Sequence, residues 1–170
     1  MFSIFQQLTL LLFVNTEAFD EILLVSRLLV NNSKRYAGSA TLRLEDVIAK
    51  AEKPCLVVTP SFEDARSIST KVPQAILRGE KETSAEAAMR VPDDGILIAT
   101  AAWAGLDTPL RWASVVVPRI PFGKPRELDG EVLTHYISSR NLAMRRMRQV
   151  VGRGLRTPDS RCDFYICDKI

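Results

Sequence analysis

Near the end of the chain, the stretch RQVVGRGLRTPD at residues 148–159 places one amide and two guanidinium side chains at regular intervals. If this stretch is helical, Gln149, Arg153 and Arg156 occupy positions i, i+4 and i+7 and line one stripe of the helix. Guanidinium groups bind phosphate and carboxylate oxygens through a planar fork of N–H donors. The pattern therefore predicts an anion-binding surface, and the alternative is a solvated basic face of a helix.

The surroundings of this stretch are strongly basic, although the whole chain is not. The 170 residues carry a net charge of only +3, but residues 140–161 contain seven arginines and one acid, Asp159. Such a segment is suited to phosphate groups. Charge alone does not separate that function from a helix face that simply meets solvent.

A second segment with suitable chemistry is GILIATAAWAGLDTP, residues 95–109. It would bring the Thr100 hydroxyl, the bare backbone of Gly105 and the Asp107 carboxylate close together at the end of an apolar run. A carboxylate suits a ribose hydroxyl, whereas threonine or backbone amides suit a nucleic-acid phosphate. The alternative is purely structural, namely a strand, a glycine turn and an aspartate cap.

Apolar runs that alternate with helical patterns must position these residues. The expected strands are CLVVT (55–59), AILR (75–78), GILIAT (95–100), SVVV (114–117) and RCDFYICD (161–168). Helical patterns are expected at 44–53, 60–72 and 82–90, and a long helix from about Leu133 through Arg156. Continuous apolar strands separated by helices are typical of an α/β fold with a mainly parallel sheet covered on both faces.

In such a sheet, functional residues gather in the loops at the carboxyl ends of the strands. Five candidate residues directly follow apolar runs and are therefore expected on one rim of the sheet. They are Thr59, Ser61, Thr100, Gly105 and Asp107. Ser61 lies three residues before Asp64, which also predicts an N-cap for the helix that follows.

We expect residues 1–53 to form an N-terminal helical segment and linker, and residues 54–170 to form one α/β domain. The opening stretch MFSIFQQLTLLLFV is apolar, but it is too short to span a bilayer and has no basic region before it. It is expected to be a helix that packs on the body of the protein or on a partner. No membrane association is predicted.

The cysteines indicate a reducing compartment. Cys55, Cys162 and Cys167 lie in or beside apolar runs and form no CxxC pair, which argues against a disulfide framework or a zinc site. The lone His135 has no companion for a metal site or a catalytic triad. We therefore expect a cytoplasmic protein without a metal site of its own.

Taken in order, the motifs resemble the second RecA-like domain of superfamily 2 helicases, and in particular the DinG/XPD-like branch. In that family QxxGRxxR is motif VI, and Gln149, Gly152, Arg153 and Arg156 match it position for position. The segment from Thr100 to Asp107 resembles motif V, and the strand that ends in Thr-Pro-Ser resembles a backbone-contacting loop. The resemblance covers residues 54–170 and implies a RecA-like three-layer sandwich.

The resemblance implies roles in ATP hydrolysis for three of these side chains. Arg153 and Arg156 would reach across a cleft toward the γ-phosphate of ATP, and one of them would be an arginine finger. Characterised arginine fingers accelerate phosphoryl transfer by about 10³–10⁵-fold. Gln149 would hold the phosphate or its attacking water.

The nucleotide itself would also contact residues from both motifs. By the resemblance, Asp107 would touch the ribose and Gly105 would offer bare backbone beside it. Gly152 has no side chain to obstruct the facing domain.

Single-stranded DNA is the implied polymer substrate, although the residues themselves do not distinguish DNA from RNA. Thr59, Ser61 and Thr100 would bind its phosphates, and Arg145 would extend the basic surface. Trp103 would stack on a base or, alternatively, pack in the core. Phosphate contacts of this kind position a strand without reading its sequence.

Half of an ATP site is missing from these residues. A helicase also needs GxxxxGK[ST] and an acidic motif for Mg²⁺, and the nearest match, FGKP at 122–125, lacks the first glycine and the hydroxyl. A first RecA-like domain, in the same enzyme or in a partner chain, would complete the site for ATP and Mg²⁺. The iron–sulfur cluster of some relatives would belong to that other domain.

The expected function is therefore that of the C-terminal motor domain of an ATP-dependent DNA helicase moving 5′ to 3′, inactive as an isolated chain. One alternative is a non-enzymatic nucleic-acid-binding or regulatory module that keeps the helicase fold. The other is an unrelated α/β nucleotide-binding protein.

Overall fold

The computed structural model of the chain describes residues 10–12, 43–103, 106, 108, 110–122, 126–128, 131–133, 136–154 and 162–167. Strands and helices alternate along these residues. In chain order the elements are β1 (Leu10–Leu12), α1 (Leu44–Lys50), β2 (Cys55–Thr59), α2 (Phe62–Lys71), β3 (Ile76–Leu77), α3 (Ser84–Met89), β4 (Ile96–Thr100), β5 (Ser114–Val117), β6 (Arg126–Leu128), β7 (Glu131–Leu133), α4 (Tyr136–Gly154) and β8 (Asp163–Ile166).

Six of the strands form one sheet in the order β1-β8-β5-β2-β4-β3, and every neighbouring pair is parallel. Strands β2, β4 and β5 are buried along their whole length. This burial explains their unbroken apolar sequences, since helices cover both faces of a parallel sheet. The predicted α/β sandwich is confirmed.

Alternate residues of each strand contribute to two separate cores. In β2, Leu56 and Val58 face a layer that contains α3 and α4, the latter through Met147 and Val150. The opposite face of the sheet packs against α1 and α2. Its buried residues include Val47, Ile48, Val57, Ala65, Ile68, Ile98 and Val116. The described elements therefore form three layers, and α1 belongs to the same packed body as the sheet.

Helix α2 begins as its sequence predicts. The Ser61 hydroxyl accepts a hydrogen bond of 3.1 Å from the Asp64 backbone N–H, which satisfies one of the free donors of the first turn. The capping box of α3 is complete, because Thr83 and Glu86 each bind the other's backbone N–H.

Two expectations about local structure are wrong. Leu10–Leu12 is not helical but forms a strand that pairs with β8, Leu10 opposite Phe164. The leucine run has no period that separates strand from helix, and the free edge of β8 provides hydrogen-bond partners. The long helix does not begin near Leu133, because Glu131–Leu133 pairs in antiparallel register with Arg126–Leu128.

Among the described residues, no helix is both long enough and apolar enough to cross a membrane.

Candidate functional site

The rim at the carboxyl ends of β2 and β4 is built around two threonines. Thr59 and Thr100 are register partners in the sheet, and their hydroxyl oxygens lie 3.3 Å apart. The Thr59 hydroxyl also donates to the Ser61 carbonyl over 3.1 Å, and both threonines are buried. The structure thus confirms that these residues share one rim, and it places their hydroxyls inside the rim as ties between loops.

Ser61 joins the same rim to the start of α2. Its hydroxyl donates to Asp64 Oδ2 over 2.7 Å while it accepts from the Asp64 N–H. Arg119, which follows β5, reaches Asp64 Oδ1 at 3.3 Å. The loops after β2 and β5 are therefore linked through one carboxylate, which also lies favourably at the positive end of the helix dipole.

Arg78 is a rim residue that the sequence analysis did not identify. Its guanidinium donates to the Thr100 carbonyl and to the Glu82 carbonyl, each over 2.7 Å, and lies 5.1 Å from the centre of the Phe62 ring. An arginine directly after a short apolar strand was the available signal. These contacts tie the loops after β2, β3 and β4 together.

The turn after β4 contains a strained residue. Ala101 has φ of 56°, a left-handed conformation that costs a non-glycine residue about 1 kcal/mol or more. Its N–H donates to the Thr59 carbonyl over 3.0 Å, which holds it in that conformation. Ala101 is exposed, and this hydrogen bond fixes its position at the rim.

Trp103 connects the rim to helix α4. Only 8% of Trp103 is exposed, and the Arg146 guanidinium lies 5.1 Å from the centre of its ring. Arg146 also donates to the Pro121 carbonyl over 3.0 Å. The packing alternative predicted for Trp103 agrees with this burial, and the cation–π contact covers one face of the ring.

Helix α4 has clearly separated buried and exposed sides. Ala143, Met147, Val150 and Gly154 are buried at helical spacing, whereas Asn141, Arg145, Arg148, Gln149 and Gly152 form the exposed stripe. Arg153 is half-buried at the edge of that stripe. In the described part of the chain, Arg145, Arg148 and Arg153 take part in none of the ion pairs.

The two glycines of this helix have different environments. A Cβ at Gly154 would lie 2.5 Å from Cys162 Sγ and 2.6 Å from Phe164 Cζ, so Gly154 allows the helix to pack tightly on β8. A Cβ at Gly152 would meet no described atom within 4 Å. Packing within the described residues therefore explains Gly154 but does not explain Gly152.

Three of the predicted site residues lie outside the described residues. They are Gly105, Asp107 and Arg156. Their proposed roles at the ribose and the γ-phosphate stay predictions. The structure brings together Thr59, Ser61 and Thr100 at the rim and displays Gln149 and Gly152 on one stripe of α4, with Arg153 at its edge.

The thiols offer no reactive nucleophile. Burial raises the pKa of Cys55 and Cys162, and it raises the pKa of Cys167 to about 12. A thiol with a raised pKa is protonated at neutral pH and is a poor nucleophile. The cysteines are packing residues, as their apolar surroundings predict.

No protein-family model matches the chain, and neither does any curated protein.

Proposed function

We propose that this chain is the C-terminal RecA-like motor domain of an ATP-dependent DNA helicase of the DinG/XPD-like type, acting in the cytoplasm and moving 5′ to 3′. The observation that carries the proposal is the exposed stripe of α4, where Gln149 and Gly152 lie beside Arg153, which takes part in none of the ion pairs among the described residues. An amide, a guanidinium and bare backbone on one open surface suit a phosphate that another domain holds.

The surroundings of Gly152 support the approach of such a domain. Glycine within a helix costs about 1 kcal/mol relative to alanine, and the space beside Gly152 is open on the side of the described residues. A surface of another domain lying close to the helix at this point would explain why glycine stands here despite that cost. The facing surface in this proposal is the first RecA-like domain, which would bring the phosphate loop and the acidic residues for Mg²⁺.

ATP supplies the phosphoryl group whose transfer drives the motor. The residues of this chain that suit its phosphate groups are hydrogen-bond donors and cations. Arg153 would neutralise negative charge on the phosphate oxygens, and the Gln149 amide would orient a phosphate oxygen or water by a hydrogen bond. Arg156, Asp107 and Gly105 belong to the proposal through the family resemblance alone.

Single-stranded DNA would lie along the rim formed by the loops after β2, β4 and β5. The supporting features are the fixed backbone at Ala101 and the exposed, positively charged side chains of Arg119 and Arg145. The buried hydroxyls of Thr59 and Thr100 would act by holding these loops in place rather than by reaching the strand. Contacts of this kind bind phosphates of any sequence.

Arginine substitution in the complete enzyme tests the proposal. Arg153→Ala should reduce ATP turnover by about 10³-fold or more while leaving the Kd for single-stranded DNA within about twofold. Arg148→Ala, which removes an exposed charge from the same helix, is the matched control and should retain turnover. If Arg153→Ala instead weakens DNA binding and leaves turnover intact, the chain is a binding module and the motor assignment is wrong.

A further inference from the structure

Arg146, in the middle of α4, makes two contacts with loops that lie outside its own helix. Its guanidinium lies over the Trp103 ring at 5.1 Å and donates to the Pro121 carbonyl at 3.0 Å. Trp103 belongs to the turn after β4, and Pro121 belongs to the loop after β5. A single side chain from the middle of α4 therefore holds both rim loops.

The same helix carries the candidate phosphate-binding residues a short distance further on. Gln149 follows Arg146 by three residues and Arg153 follows it by seven, so Arg146 and Arg153 lie on one flank of the helix, two turns apart. The C-terminal end of α4 is packed tightly at Gly154 against Cys162 and Phe164. The helix is consequently held at two places, by β8 at its end and by the rim loops at its middle.

A rigid helix transmits a displacement at one of these places to residues between them. Met147 and Val150 are buried and keep the helix on the sheet, so a shift of the rim loops must be met by a shift or rotation of α4. Interfaces of packed side chains change between discrete arrangements rather than deforming continuously.

We propose that Arg146 is a positioning residue that couples nucleic acid on the rim to Gln149 and Arg153. Binding of a strand to the loops after β4 and β5 fixes Trp103 and Pro121, and Arg146 passes that restraint to the C-terminal half of α4. This inference rests on the proposed function, because it requires that single-stranded nucleic acid bind the rim.

Hydrogen–deuterium exchange of the full 170-residue chain, with and without a saturating thymidine oligonucleotide of about 20 nucleotides, tests the coupling. Binding itself is followed separately by the fluorescence anisotropy of a labelled copy of that oligonucleotide. In the unsubstituted chain, the oligonucleotide should slow exchange of the amides of residues 147–154 by about threefold or more.

Arg146→Met removes the donors and the charge but keeps an apolar side chain, and it should lose most of that slowing while still binding the oligonucleotide. Arg148→Met removes a charge two residues away and should respond like the unsubstituted chain. Arg146→Lys keeps a cation near Trp103 without the planar fork and should give an intermediate response. This variant also serves if Arg146→Met does not fold.

Two results would overturn the inference, and they are distinguishable. If Arg146→Met exchanges faster overall but shows the same slowing with the oligonucleotide, Arg146 is merely structural and DNA binding at the rim stands. If the oligonucleotide gives no anisotropy change with the unsubstituted chain, the nucleic-acid part of the proposed function fails and the coupling fails with it.

Discussion

Alanine substitution at the two glycines of α4 should have opposite effects on stability. Gly152 and Gly154 are separated by one residue on the same helix, yet a Cβ would enter open space at 152 and would lie 2.5 Å from Cys162 Sγ at 154. Neither glycine has a positive φ in the range that excludes alanine. Steric surroundings alone therefore decide the difference between the two variants.

The expected magnitudes follow from these distances. Gly152→Ala should raise the free energy of unfolding by about 0.5–1 kcal/mol, because alanine has the higher helix propensity and narrows the unfolded ensemble. Gly154→Ala forces the helix away from β8 and should lower the free energy of unfolding by about 1–3 kcal/mol, as inserted methyl groups do in packed cores. In a chain of this size, 1 kcal/mol corresponds to a shift of about 2–4 °C in Tm.

Urea unfolding followed by far-ultraviolet circular dichroism gives both values in one series. Gly152→Ala should unfold at a higher urea concentration than the unsubstituted chain, and Gly154→Ala at a lower one. Equal stability of the two variants would refute the packing of α4 on β8 as described. If Gly152→Ala is more stable but impairs ATP turnover in the proposed complete helicase, the proposed approach of a facing domain gains direct support.

Three further predictions concern the stability of the fold and the reactivity of its cysteines. Ser61→Ala removes the N-cap of α2 and should lower the free energy of unfolding by about 1 kcal/mol. Thermal unfolding of this variant, compared with that of the control variant Ser67→Ala, checks this value. Burial and then the Glu52 charge raise the pKa of the Asp163 carboxyl, so its ionised form destabilises the fold. Asp163→Asn should therefore raise the urea midpoint at pH 7, and the gain should vanish as the pH falls through the unfolded-state pKa; an unchanged midpoint at pH 7 would contradict this. Burial also raises the pKa of all three cysteine thiols. Iodoacetamide at pH 8 should therefore modify the folded chain at least about 100-fold more slowly than the chain in urea, and mass spectrometry measures both rates. Comparable rates would mean that the thiols are accessible in the folded chain.

The central strands could be predicted because strands that are buried on both faces have continuous apolar sequences. CLVVT, GILIAT and SVVV are apolar at every or nearly every position, and such runs next to helical patterns indicate a parallel sheet. The shared rim followed from the same reasoning, since Thr59 and Thr100 both end such runs. The Ser61 cap could be inferred from a spacing of three residues to Asp64.

Other features depend on information that local patterns do not contain. The leucine run at residues 10–12 is compatible with either a strand or a helix, and only the edge of β8 decides between them. The pair β6 and β7 is an exception, because the Asp129-Gly130 dipeptide between the two strands is a local hairpin signal that was not used in the prediction. The contacts of Arg78 and Arg146 join elements that are distant along the chain, so their roles emerge only from the packed structure.

The measurement that tests the central claim most directly is the affinity of the chain for a labelled single-stranded DNA at several salt concentrations. Two phosphate contacts, from the exposed side chains of Arg119 and Arg145, should give a slope of about −1.4 in a plot of log K against log salt concentration. Arg145→Gln should make that slope smaller by about 0.7. A chain without salt-dependent affinity for single-stranded DNA would contradict the motor-domain account and leave only the α/β fold.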